Sequence, residues 1–103
     1  MRKHSFAFVD IEATGLNMLH HEIIEIGCVL TTPELEVIEE FELKIKPEHL
    51  ETADHVSMKI NHYDEALWKK AHTLKKAIKI LSLKVKDSIM VGQNVAFDSS
   101  FLE

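Results

Sequence analysis

A chain of 103 residues, 46% of them hydrophobic, has room for one modest domain around one core and is too apolar to be a disordered tail. No apolar run approaches the ~20 residues of a membrane span, and Met1-Arg2-Lys3-His4 leads into a strand rather than a signal sequence, so a cytoplasmic protein without membrane contact is expected. The formal net charge of −5 excludes a broad basic grip on nucleic acid but not a nuclease that leaves phosphate neutralisation to bound ions, and it predicts weak binding without metal.

The apolar run Phe6-Ala7-Phe8-Val9 reads as a central strand covered on both faces. It runs into two acids, Asp10 and Glu12, and then the glycine turn Ala13-Thr14-Gly15-Leu16. A buried carboxylate without partners is too costly to persist, so both acids should meet a cation, hydrogen-bond donors or water. Two apart on a strand, they share a face about 6.6–7 Å apart and can serve one divalent ion or a pair, while Ile11 points into the core. Taken alone, such a pair also occurs where strands simply end in solvent.

Ala13 to His21 is a loop punctuated by Gly15 and Asn17, with Leu16 and Met18 partly exposed and His20-His21 as loop residues rather than zinc ligands. Ile23 to Thr31 reads as a second strand, with Cys28 as a buried thiol and Glu25 as a hydrogen-bonded structural acid in preference to a supporting partner of the metal site. Thr32-Pro33-Glu34-Leu35 is a turn, and the alternation from Glu40 to Lys46 is a half-buried strand with Phe41, Leu43 and Ile45 inward and a charged face suited to a sheet edge. Pro47 ends it, and Glu48 to Asn61 is polar and irregular with a short helical turn. Leu67, Ala71, Leu74, Ile78, Leu81 and Val85 make the apolar stripe of an amphipathic helix, capped by Asp64 if long or Thr73 if short, with Trp68 as a core anchor. Lys86-Asp87-Ser88 breaks the pattern before a strand over Ile89 to Val91. That run breaks at Gly92, passes Asn94 and delivers Asp98 where a helix can start.

Two stretches together, Asp10-Ile11-Glu12-Ala13-Thr14-Gly15-Leu16 and Asn94-Val95-Ala96-Phe97-Asp98 with Phe101-Leu102, resemble motifs of the DEDD family of 3′-to-5′ exonucleases, which includes polymerase proofreading subunits and RNase T. Glu22-Ile23-Ile24-Glu25-Ile26-Gly27 is similar to the family's second strand. The resemblance implies an α/β fold, a ribonuclease H-like mixed sheet with packed helices, ordered strand, strand, strand, helix, strand, helix start. It implies hydrolysis at a 3′ end with two ions, Mg2+ or Mn2+: Asp10 bridging both, Glu12 on the ion that activates water and Asp98 on the other. It also makes Ala13, Thr14, Gly15, Leu16 and Asn94 substrate contacts, with Leu16 against the terminal base. The partners it implies are the 3′ end of single-stranded DNA or RNA, and a polymerase or another chain completing the fold.

Three departures stand out. Gln93 replaces a His common in relatives, Lys59-Ile60-Asn61-His62 lacks the expected Gly-Ile pair, and no third motif precedes Glu103. Residues 1–103 are therefore expected to be one C-terminally incomplete exonuclease domain with little activity in isolation. The alternatives are a non-catalytic nucleic-acid-binding or interaction module that retains the fold, and another Mg2+-dependent phosphate-processing enzyme, disfavoured by the Asn94-to-Asp98 motif.

Overall fold

The structure is a computed structural model that describes residues 5–17 and 19–92. Strands β1 (Ser5–Ala13), β2 (Ile23–Thr31) and β3 (Val37–Lys44) are followed by a 3-10 turn at Leu50–Thr52, the short helix α1 (His55–Ile60), the helix α2 (Leu74–Lys84) and strand β4 (Ser88–Val91). The sheet order is β3-β2-β1-β4. Both hairpin pairings are antiparallel, whereas β4 lies parallel to β1. Parallel neighbours need a crossover, and the segment carrying α1 and α2 supplies it. This is the expected mixed sheet.

Alternation along each strand sorts side chains onto two faces. Ala7 and Val9 of β1, Ile26, Cys28 and Leu30 of β2, and Leu43 of β3 share one face, buried against Ala77 and Leu81 of α2, with Ile11 and Phe41 packed beside them. Ile45, 1% exposed, continues that face just beyond β3, where it bridges to His72. Burial pushes the Cys28 thiol pKa up, with the Glu39 charge adding to the rise, as suits a core thiol.

The opposite face carries Phe8, Asp10 and Glu12 of β1. Here the expectation of a strand covered on both faces does not hold among the described residues: Phe8 is 37% exposed and Asp10 is exposed as well. β1 is central in the sheet, yet α2 covers only one side. Asp10 thus meets solvent rather than the dry interior that the apolar run suggested.

The turn between β2 and β3 closes through Leu35 N–H donating to Thr32 O at 2.9 Å, with Pro33 at its second position. Leu35 takes φ 69, a left-handed conformation unusual for a branched residue. β3 begins three residues earlier than the alternation indicated, at Val37, and its edge position is as expected.

Helix α2 is the shorter of the two alternatives. The Thr73 hydroxyl accepts from Lys76 N–H at 3.2 Å and sets the start. Asp64 also caps, but only a turn, accepting from Ala66 N–H at 2.8 Å. Of the six-residue stripe, Leu81 is buried and Ile78 and Val85 pack on the core, while Leu67 and Leu74 are exposed. Ala77 of α2 is fully buried, in the same core cluster as Ala7. The polar stretch after Pro47 is more ordered than expected. Asp54 caps α1 by accepting from Ser57 N–H at 2.9 Å, and those contacts hold its carboxyl below the usual range.

Candidate active site

β1 ends at an irregularity that separates the two acids from the loop. Asp10 faces Gly27 and Glu12 faces Glu25, but Ala13 pairs with Ile23, so the register shifts between Glu12 and Ala13. A bulge of this kind bends a strand and re-aims the residues beyond it. Asp10 and Glu12 stand on the open face as the period of two requires. The position beside Asp10 is roomy: a Cβ on Gly27 would meet only the Asp10 carbonyl, at an ordinary 3.9 Å. A groove of about 850 Å3 runs over this face, lined by Phe8, Asp10, Gly27, Val29, Glu42 and Val91 among others.

The loop after β1 is closed by a reciprocal pair. Thr14 N–H donates to Glu22 O at 2.8 Å and Glu22 N–H donates to Thr14 Oγ1 at 2.9 Å, which accounts for the complete burial of Thr14. Ala13 and Gly15 are also buried, whereas Leu16 is 84% exposed at the loop's outer edge. A second segment braces the loop from the side. Asp54 N–H donates to Thr14 O at 2.7 Å, Thr52 Oγ1 to His20 O at 3.0 Å, and Asn61 Nδ2 to Ala13 O at 2.8 Å. The Glu22 carboxylate reaches back to accept from Glu48 N–H and His49 N–H. Sequence reasoning missed Glu22, Asp54 and Asn61 as organisers of this region. The only local signal was the aspartate-x-x-serine cap at Asp54. In the segment where the resemblance leads one to expect a Gly-Ile pair, His62 takes a left-handed φ of 55.

Glu25 is the hydrogen-bonded structural acid expected, accepting from Lys44 Nζ at 2.9 Å. Burial pushes its carboxyl pKa up, but hydrogen bonds from Lys44 and Glu42 and the Lys44 charge outweigh burial, and the net shift is downward. Glu42, sharing that contact, is raised by its hydrogen bond to Glu25 and by the Glu25 charge. Lys44 Nζ also lies 4.8 Å from the Trp68 ring centre. Trp68, 4% exposed, is the core anchor expected, donating from Nε1 to Ile24 O at 2.9 Å and packing on Tyr63.

A donor set of carboxylates, with Cys28 on the far face, suits a hard divalent ion that takes oxygen ligands. Among the described residues no three acids, histidines or cysteines come together as a complete metal site. Asp98 and Asn94, expected as the third ligand and a substrate contact, lie outside the described residues. Also among the described residues, no helix is long and apolar enough to cross a membrane.

Comparison with known proteins agrees with this architecture. The RNase T family, described as exonuclease, matches residues 7–103. The chain is 30% identical over 98 residues to a PolC-type DNA polymerase III of Caldanaerobacter subterraneus subsp. tengcongensis, and 31% identical to that of Mycoplasmopsis pulmonis. Each alignment covers 95% of this chain but 7% of the relative, so the chain spans a small part of their length. Among solved structures, exonuclease I of Methylocaldum szegediense superposes with a TM-score of 0.83 at 17% identity, over 96% of this chain and 22% of that one. E. coli exonuclease I in complex with a dT13 oligonucleotide gives 0.82 at 18% identity, over 97% and 23%. These likenesses establish the fold, a ribonuclease H-like mixed sheet with helices.

Proposed function

The chain belongs to the RNase T exonuclease family, and from that premise we propose that it hydrolyses phosphodiester bonds at the 3′ end of a single-stranded nucleic acid, using two divalent ions, Mg2+ or Mn2+, held by Asp10, Glu12 and Asp98. One observation carries the reading. Asp10 and Glu12 project from one face at the carboxyl end of a central strand, and the parallel strand beside it leads toward the segment that holds Asp98. Carboxyl ends of neighbouring parallel strands are the usual address of sites in open α/β sheets.

When bound, such ions supply an ionised water and neutralise charge on the leaving oxygen. The chain's own residues do the rest. Asp10 and Glu12 hold the anionic ligand set on a strand paired with β2 through both acids and with β4 at its start, from Ser5 to Phe8. Ala13, Thr14 and Gly15 form the braced floor of the loop, Leu16 offers an exposed apolar side chain to the terminal base, and Asn94 contacts the substrate. The relatives' names, DNA polymerase III and an exonuclease I bound to dT13, support DNA as the substrate and a polymerase as partner.

The activity test uses the completed domain and a 5′-labelled single strand with Mg2+, where shortening from the 3′ end gives a descending ladder. Asp10→Ala should lower turnover at least ~100-fold, the scale of losing one transition-state stabiliser. Calorimetry with Mn2+ should show heat for the parent that is lost in the Asp10→Asn/Asp98→Asn double variant. Equal heats for both proteins, or an Asp10→Ala variant at near-normal rate, would overturn the reading.

A further inference from the structure

The loop that carries Leu16 is held at its base by Thr14 and Glu22, and its outer half by the side chains of Asn17 and His21. Asn17 N–H donates to His21 Nδ1 at 3.0 Å, and His21 N–H donates back to Asn17 O at 2.8 Å. His20 N–H adds a third contact to Asn17 O at 3.0 Å, and Leu19 N–H donates to Asn17 Oδ1 at 2.9 Å. The same imidazole lies flat on Gly15. A Cβ built there would stand 2.4 Å from His21 Cε1 and 2.5 Å from each ring nitrogen, closer than real atoms approach. Gly15 does not have a positive φ, so glycine is required here for room and not for an unusual backbone. The ring therefore fixes the residues on both sides of Leu16: Gly15 by contact below and Asn17 by a hydrogen bond beyond.

We propose that His21 is a positioning residue for the exonuclease reaction, its neutral imidazole holding the Gly15–Asn17 turn so that Leu16 is presented to the terminal base of the strand. The proposal rests on the function proposed above. It also specifies a chemical form. A backbone N–H can only donate, so Nδ1 must be the unprotonated nitrogen, and the ring carries its proton on Nε2. Its effect passes through the loop to substrate binding rather than to the chemical step.

Two substitutions separate the parts. His21→Phe keeps a flat ring on Gly15 and removes the acceptor, whereas His21→Asn places an amide oxygen near the position of Nδ1. Measured in the completed domain on a 5′-labelled oligothymidylate with Mg2+, His21→Phe should raise KM roughly threefold to tenfold, the scale of one lost hydrogen bond, with kcat little changed. His21→Asn should restore KM to within about twofold of the parent, a rescue that a purely structural role for the ring would not give. Independently of activity, nitrogen NMR of histidine-labelled protein should show His21 as the Nε2–H tautomer. A His21→Phe variant with the parent's KM, or an Nδ1–H tautomer in the parent, overturns the assignment. A parent that neither binds nor shortens the strand overturns the functional reading and with it the role of His21 toward substrate. The tautomer still decides, in that case, whether the ring holds the turn.

Discussion

Replacing Trp68 by Phe should destabilise the fold by about 2–3 kcal/mol, and the contacts show how that figure is composed. The indole N–H donates to Ile24 O at 2.9 Å, and its loss costs about 0.5–1.5 kcal/mol net. No orphaned acceptor adds to this, because Ile24 O keeps its hydrogen bond from Ile45 N–H at 2.8 Å. The smaller ring gives up packing in a site only 4% exposed, worth about 1 kcal/mol. A weaker face for the Lys44 ammonium, now 4.8 Å from the ring centre, removes about 0.5 kcal/mol more. Trp68→Ala, which also strips Tyr63 of its ring partner, should cost about 3–5 kcal/mol and approach the whole stability of a small domain. Trp68 is the only tryptophan, so urea unfolding must be followed by far-ultraviolet circular dichroism, with the slope m checked for constancy. A Trp68→Phe variant within 0.5 kcal/mol of the parent, on the scale of an ordinary surface change, would show that the anchor is not where the stability lies.

Thr73→Ala should cost about 1 kcal/mol, because its hydroxyl is the side-chain acceptor at the start of α2; a urea midpoint equal to the parent's would assign the helix start to packing alone. Lys44→Met should destabilise in a pH-dependent way. Glu25 has a lowered folded pKa, so its contribution is present above the ordinary glutamate value of 4.5 and lost as pH falls through the lower folded value. Lys44 has a raised folded pKa, so its contribution is present below the ordinary 10.5 and lost as pH rises beyond it. The gap in melting temperature between parent and variant should be widest between those limits, and a gap that does not vary with pH would remove the ion pair from the account.

Periodicity made the sheet legible. Alternation placed Phe41, Leu43 and Ile45 inward and put Asp10 and Glu12 on one face, because a strand offers only two faces and a core must take one. The helix was read with its stripe beginning too early. Leu67 and Ala71 fit the spacing, but the Asp64 cap closes a turn there, and the chain begins its helix only at Leu74. Phe6 and Phe8 led to the other error. Two aromatics on the second face suggested a covered strand, although a single residue's polarity carries no record of which layer lies above it. The loop's braces were illegible for a further reason. Asn61 to Ala13 and Glu48 to Glu22 join residues far apart in sequence, and no local pattern encodes such a meeting.

The charge on the open face bears on how any nucleic acid approaches it. Cross-strand pairing sets Asp10 beside Gly27 and Glu42, and Glu12 beside Glu25 and Lys44, with Glu40 next along β3. Lys44 is the one cation in those rows, and it is already committed to Glu25. The crowding is visible in Glu42, whose carboxyl is raised by its contact with Glu25. A phosphate strand nearing this face meets like charge at each step across the sheet, and its approach costs energy unless cations come with it. Divalent ions at Asp10 and Glu12 would reverse the local sign at the very end of the strand where Leu16 is presented, leaving the repulsion along β3 in place. The acids of β3 would then act as a boundary, driving a bound strand away from the Glu40–Glu42 side.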